Sequence, residues 1–195
     1  MHQRKKPELI LASASPRRQE LLREIGIPFQ VHAANINEDR IAGEGPIAYA
    51  LRLAREKAQA VAILYPQNYV LGADTIVVVD DGVLGKPKDR KDAVRMLRLL
   101  SGRSHEVTTA VCVVAPGTLT ETRASTTKVY FREIAEDDIQ RYVAGGEPMD
   151  KAGAYAIQGG ASRWADRIEG EFSNVVGLPL SLVTDMLITS GLMKR

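Results

Sequence analysis

Hydrophobic and polar positions along this chain follow two periods that take turns. Residues 8–12 are a short apolar run and read as a buried strand. Ser15 and Pro16 suit an N-cap and a first helical turn, Leu21, Leu22 and Ile25 give the helix its apolar side, and Gly26 ends it. A second helix starts near Pro46, with Ile47, Ala50, Leu51, Ala54, Ala58 and Val61 at helical spacing. Residues 69–71 and 75–79 read as two strands, with Asp81-Gly82 as a turn signal. A third helix is predicted over 91–100, with Val94 and Leu97 inward. The β-branched runs 106–115 and 122–131, joined through Pro116-Gly117, predict a long hairpin. A short helix over 136–144, a strand over 165–169 and a helix over 179–190 complete the pattern. Strand and helix alternate through most of the length, which argues for an α/β fold.

A length of 195 residues predicts one domain, 1–195, long enough to bury a sizeable core. With 26 basic and 24 acidic residues the net charge is +2, so any affinity for phosphate must be local. The lone cysteine, Cys112, excludes an intrachain disulfide and reads as a small buried apolar residue. No apolar run is long enough to cross a bilayer, and the basic start precedes too short an apolar run for a signal-peptide core. A cytoplasmic location is the expectation.

Five segments could carry chemistry. Ser13, Ser15, Arg17 and Arg18 lie where a strand meets a helix N-terminus, where free N–H groups and guanidiniums attract anions. A capped helix with solvated arginines explains the same residues equally well. Asp74, in Gly72-Ala73-Asp74-Thr75, follows an apolar strand, and ligands of α/β proteins commonly bind beyond strand ends. Lys86, in Gly85-Lys86-Pro87, is not part of a P-loop, because no glycine stands five residues earlier and no hydroxyl follows. Glu38 and Asp39 offer oxygen ligands suited to magnesium or manganese. Residues 150–160 are glycine-rich and include Asp150, Lys151 and Gln158, without the dinucleotide fingerprint. His105 lacks a nucleophile signature and reads as structural.

Taken together and in this order, these segments resemble the Maf family of nucleotide pyrophosphatases. The resemblance runs from about Leu9 to Leu187. It rests on Leu-Ala-Ser-Ala-Ser-Pro-Arg-Arg at 11–18, Gly-Ala-Asp-Thr at 72–75, Gly-Lys-Pro at 85–87, Asp-Lys-Ala-Gly-Ala-Tyr at 150–155 and Asn-Val-Val-Gly-Leu-Pro at 174–179. It implies a twisted mixed sheet with flanking helices, in two lobes around a cleft, as in inosine triphosphate pyrophosphatases. It implies hydrolysis of nucleoside triphosphates between the α and β phosphates with a divalent metal, and removal of non-standard nucleotides as one use. By position, Asp74 resembles the proton acceptor, and Ser13, Arg17, Arg18, Glu38, Lys57 and Lys86 resemble the other polar cleft positions. Arg17, Thr75 and Gln158 resemble the subgroup acting on dTTP and UTP. The 7-methyl-GTP subgroup tends to carry a carboxylate where Gln158 stands, which suits a cationic base. Arg163-Trp164 departs from the more apolar pair expected there.

On this reading cations offset the triphosphate charge, and Asp74 orients and deprotonates water. A carboxylate of reference pKa about 4 is a weak base toward water at about 15.7, so metal activation is expected, with Glu38 and Asp74 as its ligands. The competing reading is a nucleotide-binding regulator of cell division without turnover. A nucleic-acid module has little support, because the few aromatic residues interleave with no basic stripe. The expected partner is the nucleotide, not nucleic acid or membrane. A homodimer is compatible with a sequence that does not set the oligomeric state.

Overall fold

The computed structural model describes residues 8–117 and 120–194. The basic start of the chain and two residues of the hairpin connection lie outside them. Seven strands form one mixed sheet, in the order β2-β1-β3-β5-β6-β7 with β4 paired to β3. They are β1 (Leu9–Leu11), β2 (Phe29–Val31), β3 (Tyr69–Val79), β4 (Gly82–Leu84), β5 (Ser104–Val114), β6 (Thr120–Phe131) and β7 (Ala165–Glu169). Among the described residues six helices flank them: α1 (Pro16–Glu24), α2 (Pro46–Ala62), α3 (Arg90–Leu100), α4 (Glu136–Ala144), α5 (Phe172–Val176) and α6 (Leu180–Thr189). No helix among the described residues is long and apolar enough to cross a membrane. The chain divides into two compact units, one of Met1–Asp74, Ala110–Ala124 and Gly177–Arg195, the other of Thr75–Thr109 and Ser125–Val176.

In the first unit β1 lies between β2 and β3, parallel to both. All three of its residues are buried, as expected of a strand covered on both faces. β2 escaped the sequence reading because it is three residues long and half exposed. Ser15 caps α1 by accepting from the Arg18 N–H, and Gly26 closes it at φ +77°. Pro46 opens α2, whose buried face is Ala50, Leu53, Ala54, Lys57, Ala58 and Val61. Ile47, expected on that face, is 53% exposed, because the stripe turns through Leu53 instead.

The sequence predicts two strands over 69–79, but β3 is one strand of 11 residues. The interruption at Gly72 is compositional only. A Cβ there would lie 2.5 Å from the Ala54 carbonyl oxygen and 2.7 Å from the Ala58 amide nitrogen. Gly72 therefore lets α2 rest directly on the strand backbone, a close approach that lowers β propensity without ending the strand.

In the second unit a tight turn at Asp80 and Asp81, both at positive φ, folds β4 back onto β3. Asp89 caps α3 by accepting from the Asp92 N–H at 2.8 Å. α4 and β7 have the predicted bounds. Residues 147–164 form three short 3₁₀ turns, Glu147–Asp150, Ala152–Ala154 and Gly160–Trp164. His105, read as structural, is 2% exposed, with Nε2 2.8 Å from the Tyr155 hydroxyl. Cys112, in the first unit, is fully buried as expected. Trp164 is buried and Arg163 lies over its ring, so a cation covers an otherwise apolar position.

Candidate active site

The small face of α2 decides where its one buried cation goes. Ala54 and Ala58 sit against Gly72, and Asp74, two residues further along β3, points to the same face. Lys57 is thereby brought onto Asp74, with Nζ 2.7 Å from Oδ1. Lys57 is 9% exposed and Asp74 7%, so the pair is almost dry. Asp74 lies within a continuous strand, not beyond a strand end as the sequence suggested.

The same ammonium donates to Glu38 Oε1 at 2.8 Å, so one lysine bridges two carboxylates. The two differ in setting: the Glu38 side chain is 53% exposed, that of Asp74 10%. Glu38 sits in an irregular loop that α2 holds from below. The Tyr49 hydroxyl donates to the Glu38 carbonyl at 2.7 Å. Arg52 donates to the Asp39 carbonyl at 2.9 Å and forks onto Glu44 at 2.7 and 2.9 Å.

Arg18 comes from the capped start of α1. Its Nη1 donates to the Ala73 carbonyl at 2.9 Å, its Nε to the Gly177 carbonyl at 2.8 Å, and Ser13 Oγ lies 3.4 Å from Nη1. Ser13 is buried and its hydroxyl also accepts from the Ser15 N–H at 3.2 Å. Burial works against the Arg18 charge, and Asp74 works for it. A guanidinium stays protonated under that pressure. Arg17 is half-buried and close enough to repel Arg18. The first unit thus gathers Ser13, Arg17, Arg18, Glu38, Lys57 and Asp74.

Burial pushes the Asp74 carboxyl above its ordinary value, while Lys57 and then Arg18 pull it down and Glu38 adds to the rise. The result is a carboxylate with proton affinity raised beside two cations, a combination suited to accepting a proton near anionic substrate.

Thr75, Lys86 and Gln158 belong to the second unit. Thr75 Oγ1 lies 2.9 Å from Thr109 Oγ1, and Thr109 donates to the Asn174 carbonyl at 3.0 Å. Asn174 is fully buried and donates to the Val107 carbonyl and to Thr127 Oγ1 at 2.9 and 3.0 Å. Lys86 is exposed between Gly85 and the buried Pro87. The Gly85 carbonyl accepts from the Gly153 N–H at 3.1 Å, which joins the Lys86 loop to the glycine-rich segment. Gly153 and Ala154 are both at positive φ, and a Cβ on Gly153 would press on Val77 at 3.0 Å. Gln158 is exposed on the following loop.

Two carboxylates, Glu38 and Asp74, are the oxygen donors at the cluster. No group of three or more His, Cys, Asp or Glu that could hold a metal occurs among the described residues. Two carboxylates alone are a partial oxygen set, of the kind a hard divalent cation completes with waters and phosphate oxygens.

Tyr49, Arg52, Tyr142 and Glu147, which hold the loops of the candidate residues, belong to none of the sequence motifs. Lys57 is implied by the resemblance, and the sequence carries its own signal for it: a cation on the apolar stripe formed by Leu53, Ala54, Ala58 and Val61.

The profile of a family described as Maf-like protein matches residues 8–190. The dTTP/UTP pyrophosphatase of Koribacter versatilis (strain Ellin345) is 55% identical over 186 residues, 95% of this chain and 95% of its own. That of Geobacter sp. (strain M21) is 50% identical over 190 residues, 96% of this chain and 97% of its own. The structure of the Staphylococcus aureus Ham1 protein matches with a TM-score of 0.53 at 15% identity, over 93% of this chain and 98% of that one, and shares the mixed α/β fold. A profile match over nearly the whole chain and relatives at half identity or more lead to one conclusion: this chain belongs to the family of Maf-like proteins.

Proposed function

We propose that this chain hydrolyses nucleoside triphosphates, dTTP and UTP before others, between the α and β phosphates, releasing the monophosphate and pyrophosphate. The observation that carries the reading is Asp74, a nearly dry carboxylate with raised proton affinity, held 2.7 Å from Lys57 and beside Arg18. The names of relatives at 50–55% identity support the substrate class.

In this mechanism Arg17, Arg18, Lys57 and Lys86 offset the triphosphate charge, and electrostatic stabilisation of this kind is usually the largest catalytic contribution. Asp74 orients a water toward the α phosphorus and takes its proton. A P–O bond forms from that water, the bond to the bridging oxygen breaks, and pyrophosphate leaves with the electron pair. Glu38 and Asp74 would hold a divalent cation, whose chemistry there is to neutralise phosphate charge and make water more acidic. Gln158 and Thr75 read the base, and an amide can meet both the N3–H and a carbonyl of uracil or thymine.

A panel of nucleoside triphosphates with magnesium or manganese, assayed separately for pyrophosphate and phosphate, tests this. Pyrophosphate with dTMP or UMP is the expected result. Single phosphate leaving a diphosphate, or binding without turnover, overturns it.

A further inference from the structure

We infer that Tyr142 and Glu147 are positioning residues for base selectivity, clamping the loop that carries Gln158 from both sides. This rests on the proposed role of Gln158 in reading the base.

Gln158 is exposed, so the aim of its side chain depends on the backbone that carries it. That backbone is held at two points placed evenly about it. The Ala156 N–H, two residues before, donates to the Tyr142 hydroxyl at 3.0 Å. The Gly160 N–H, two residues after, donates to Glu147, with Oε1 at 3.1 Å and Oε2 at 3.3 Å. The two anchors are themselves joined, because the Tyr142 hydroxyl donates to Glu147 Oε1 at 3.0 Å. A single tyrosine–carboxylate pair therefore fixes both flanks.

Shape supports the same conclusion. A Cβ on Gly159 would fall 1.9 Å from Glu147 Oε1 and 2.7 Å from its carboxyl carbon. One on Gly160 would fall 3.1 Å from the Tyr142 ring. The two glycines let the loop close onto the pair, which explains why they stand side by side after Gln158. Tyr142 is braced in turn: it is 7% exposed and meets Trp164 edge-on at 4.9 Å. Glu147 starts the 3₁₀ turn that follows Gly146, at φ +79° just beyond α4. The anchor thus stands on a helix end and not on the loop it holds.

The chemistry needs such a clamp. A glutamine amide offers a donor and an acceptor that interchange by a flip, so alone it accepts uracil and cytosine patterns alike. Rejection of the wrong base requires that a mismatched group stay unpaired, which a loop free to move would relieve. Loosening the clamp should therefore cost selectivity more than rate.

The experiment measures kcat and KM for UTP, dTTP, CTP and GTP in the wild-type chain and in Tyr142→Phe, Glu147→Ala, Glu147→Gln and Gln158→Ala, with melting temperatures alongside. Tyr142→Phe keeps the ring on Trp164 and removes only the hydroxyl. It and Glu147→Ala should lower the UTP:CTP and UTP:GTP ratios of kcat/KM by about tenfold, the worth of one buried hydrogen bond, mainly through KM for UTP. Glu147→Gln keeps an acceptor oxygen and should retain most of the selectivity. Tyr142→Phe and Glu147→Ala that reduce all four substrates equally overturn the inference, since a merely structural role predicts that. Should either not fold, the other carries the same test. If Gln158→Ala leaves the ratios unchanged, the reading of Gln158 fails. If it changes them while both clamp variants do not, only the clamp fails.

Discussion

Gly72→Ala places one methyl group where fold and chemistry meet. The new Cβ would lie 2.5 Å from the Ala54 carbonyl oxygen, 2.7 Å from the Ala58 amide nitrogen and 2.9 Å from the Ala58 Cβ. Two of those atoms are helix backbone and cannot rotate away. Ordinary contact begins at 3.4 Å, so α2 must retreat by about 0.9 Å (3.4 minus 2.5). Overpacking of this kind costs about 1–3 kcal/mol, and for a chain this size each kcal/mol lowers the Tm by roughly 2–4 °C. The backbone of Gly72 is not at positive φ, so the effect is steric. Lys57 rides on the displaced turn. Its 2.7 Å bond to Asp74 would have to be re-made from a displaced backbone by the flexible lysine stem. A misplacement near 1 Å at reacting groups lowers rate by roughly 10²-fold. The assay is urea unfolding together with kcat for dTTP. A fall in kcat of that order in a variant still folded at assay temperature is expected. Wild-type stability with wild-type kcat would refute the link between helix seating and the site.

Three further outcomes follow. Asp74→Asn should lower kcat by at least about 10²–10⁴-fold while dTTP binding, followed by calorimetry, is kept or tightened; near-normal turnover would remove Asp74 as the base. Because burial raises the Asp74 carboxyl above its ordinary value, its titration in the metal-free chain, followed by carboxyl NMR against Asp74→Asn, should lie above pH 3.8; a titration below 3.8 contradicts this. Burial lowers His105 from 6.5 to about 4, so the unfolded chain takes up its proton first and stability present above pH 6.5 is lost as pH falls toward 4. The loss is roughly 3 kcal/mol, and denaturant midpoints of His105→Gln should show a flatter slope over that window; an unchanged slope would exclude His105 as its source.

The sequence was most readable where signals are local. α1 has its Ser15 cap and Pro16, and α4 and β7 carry their own periodicity, so all three were placed closely. β3 was split because Gly72 and Asp74 are poor strand residues, and only the packing of α2 explains why the strand continues. Helical spacing puts Ile47 inward, yet it is exposed, because spacing alone does not fix where an apolar stripe ends. At the site, Asp74 was visible as a carboxylate amid apolar residues, but its bond to a lysine 17 positions away was not. Tyr142 and Glu147 were unreadable for a related reason: their partners are backbone N–H groups 13 or 14 residues on, which leave no trace in side-chain pattern.

Hydrolysis in water enriched in oxygen-18 tests the central claim most directly. With dTTP or UTP as substrate, attack at the α phosphorus assisted by Asp74 places one labelled oxygen in the monophosphate and none in the pyrophosphate. Mass spectrometry of the separated products reads this at once. Label found in pyrophosphate, or in free phosphate beside a diphosphate, would contradict the account.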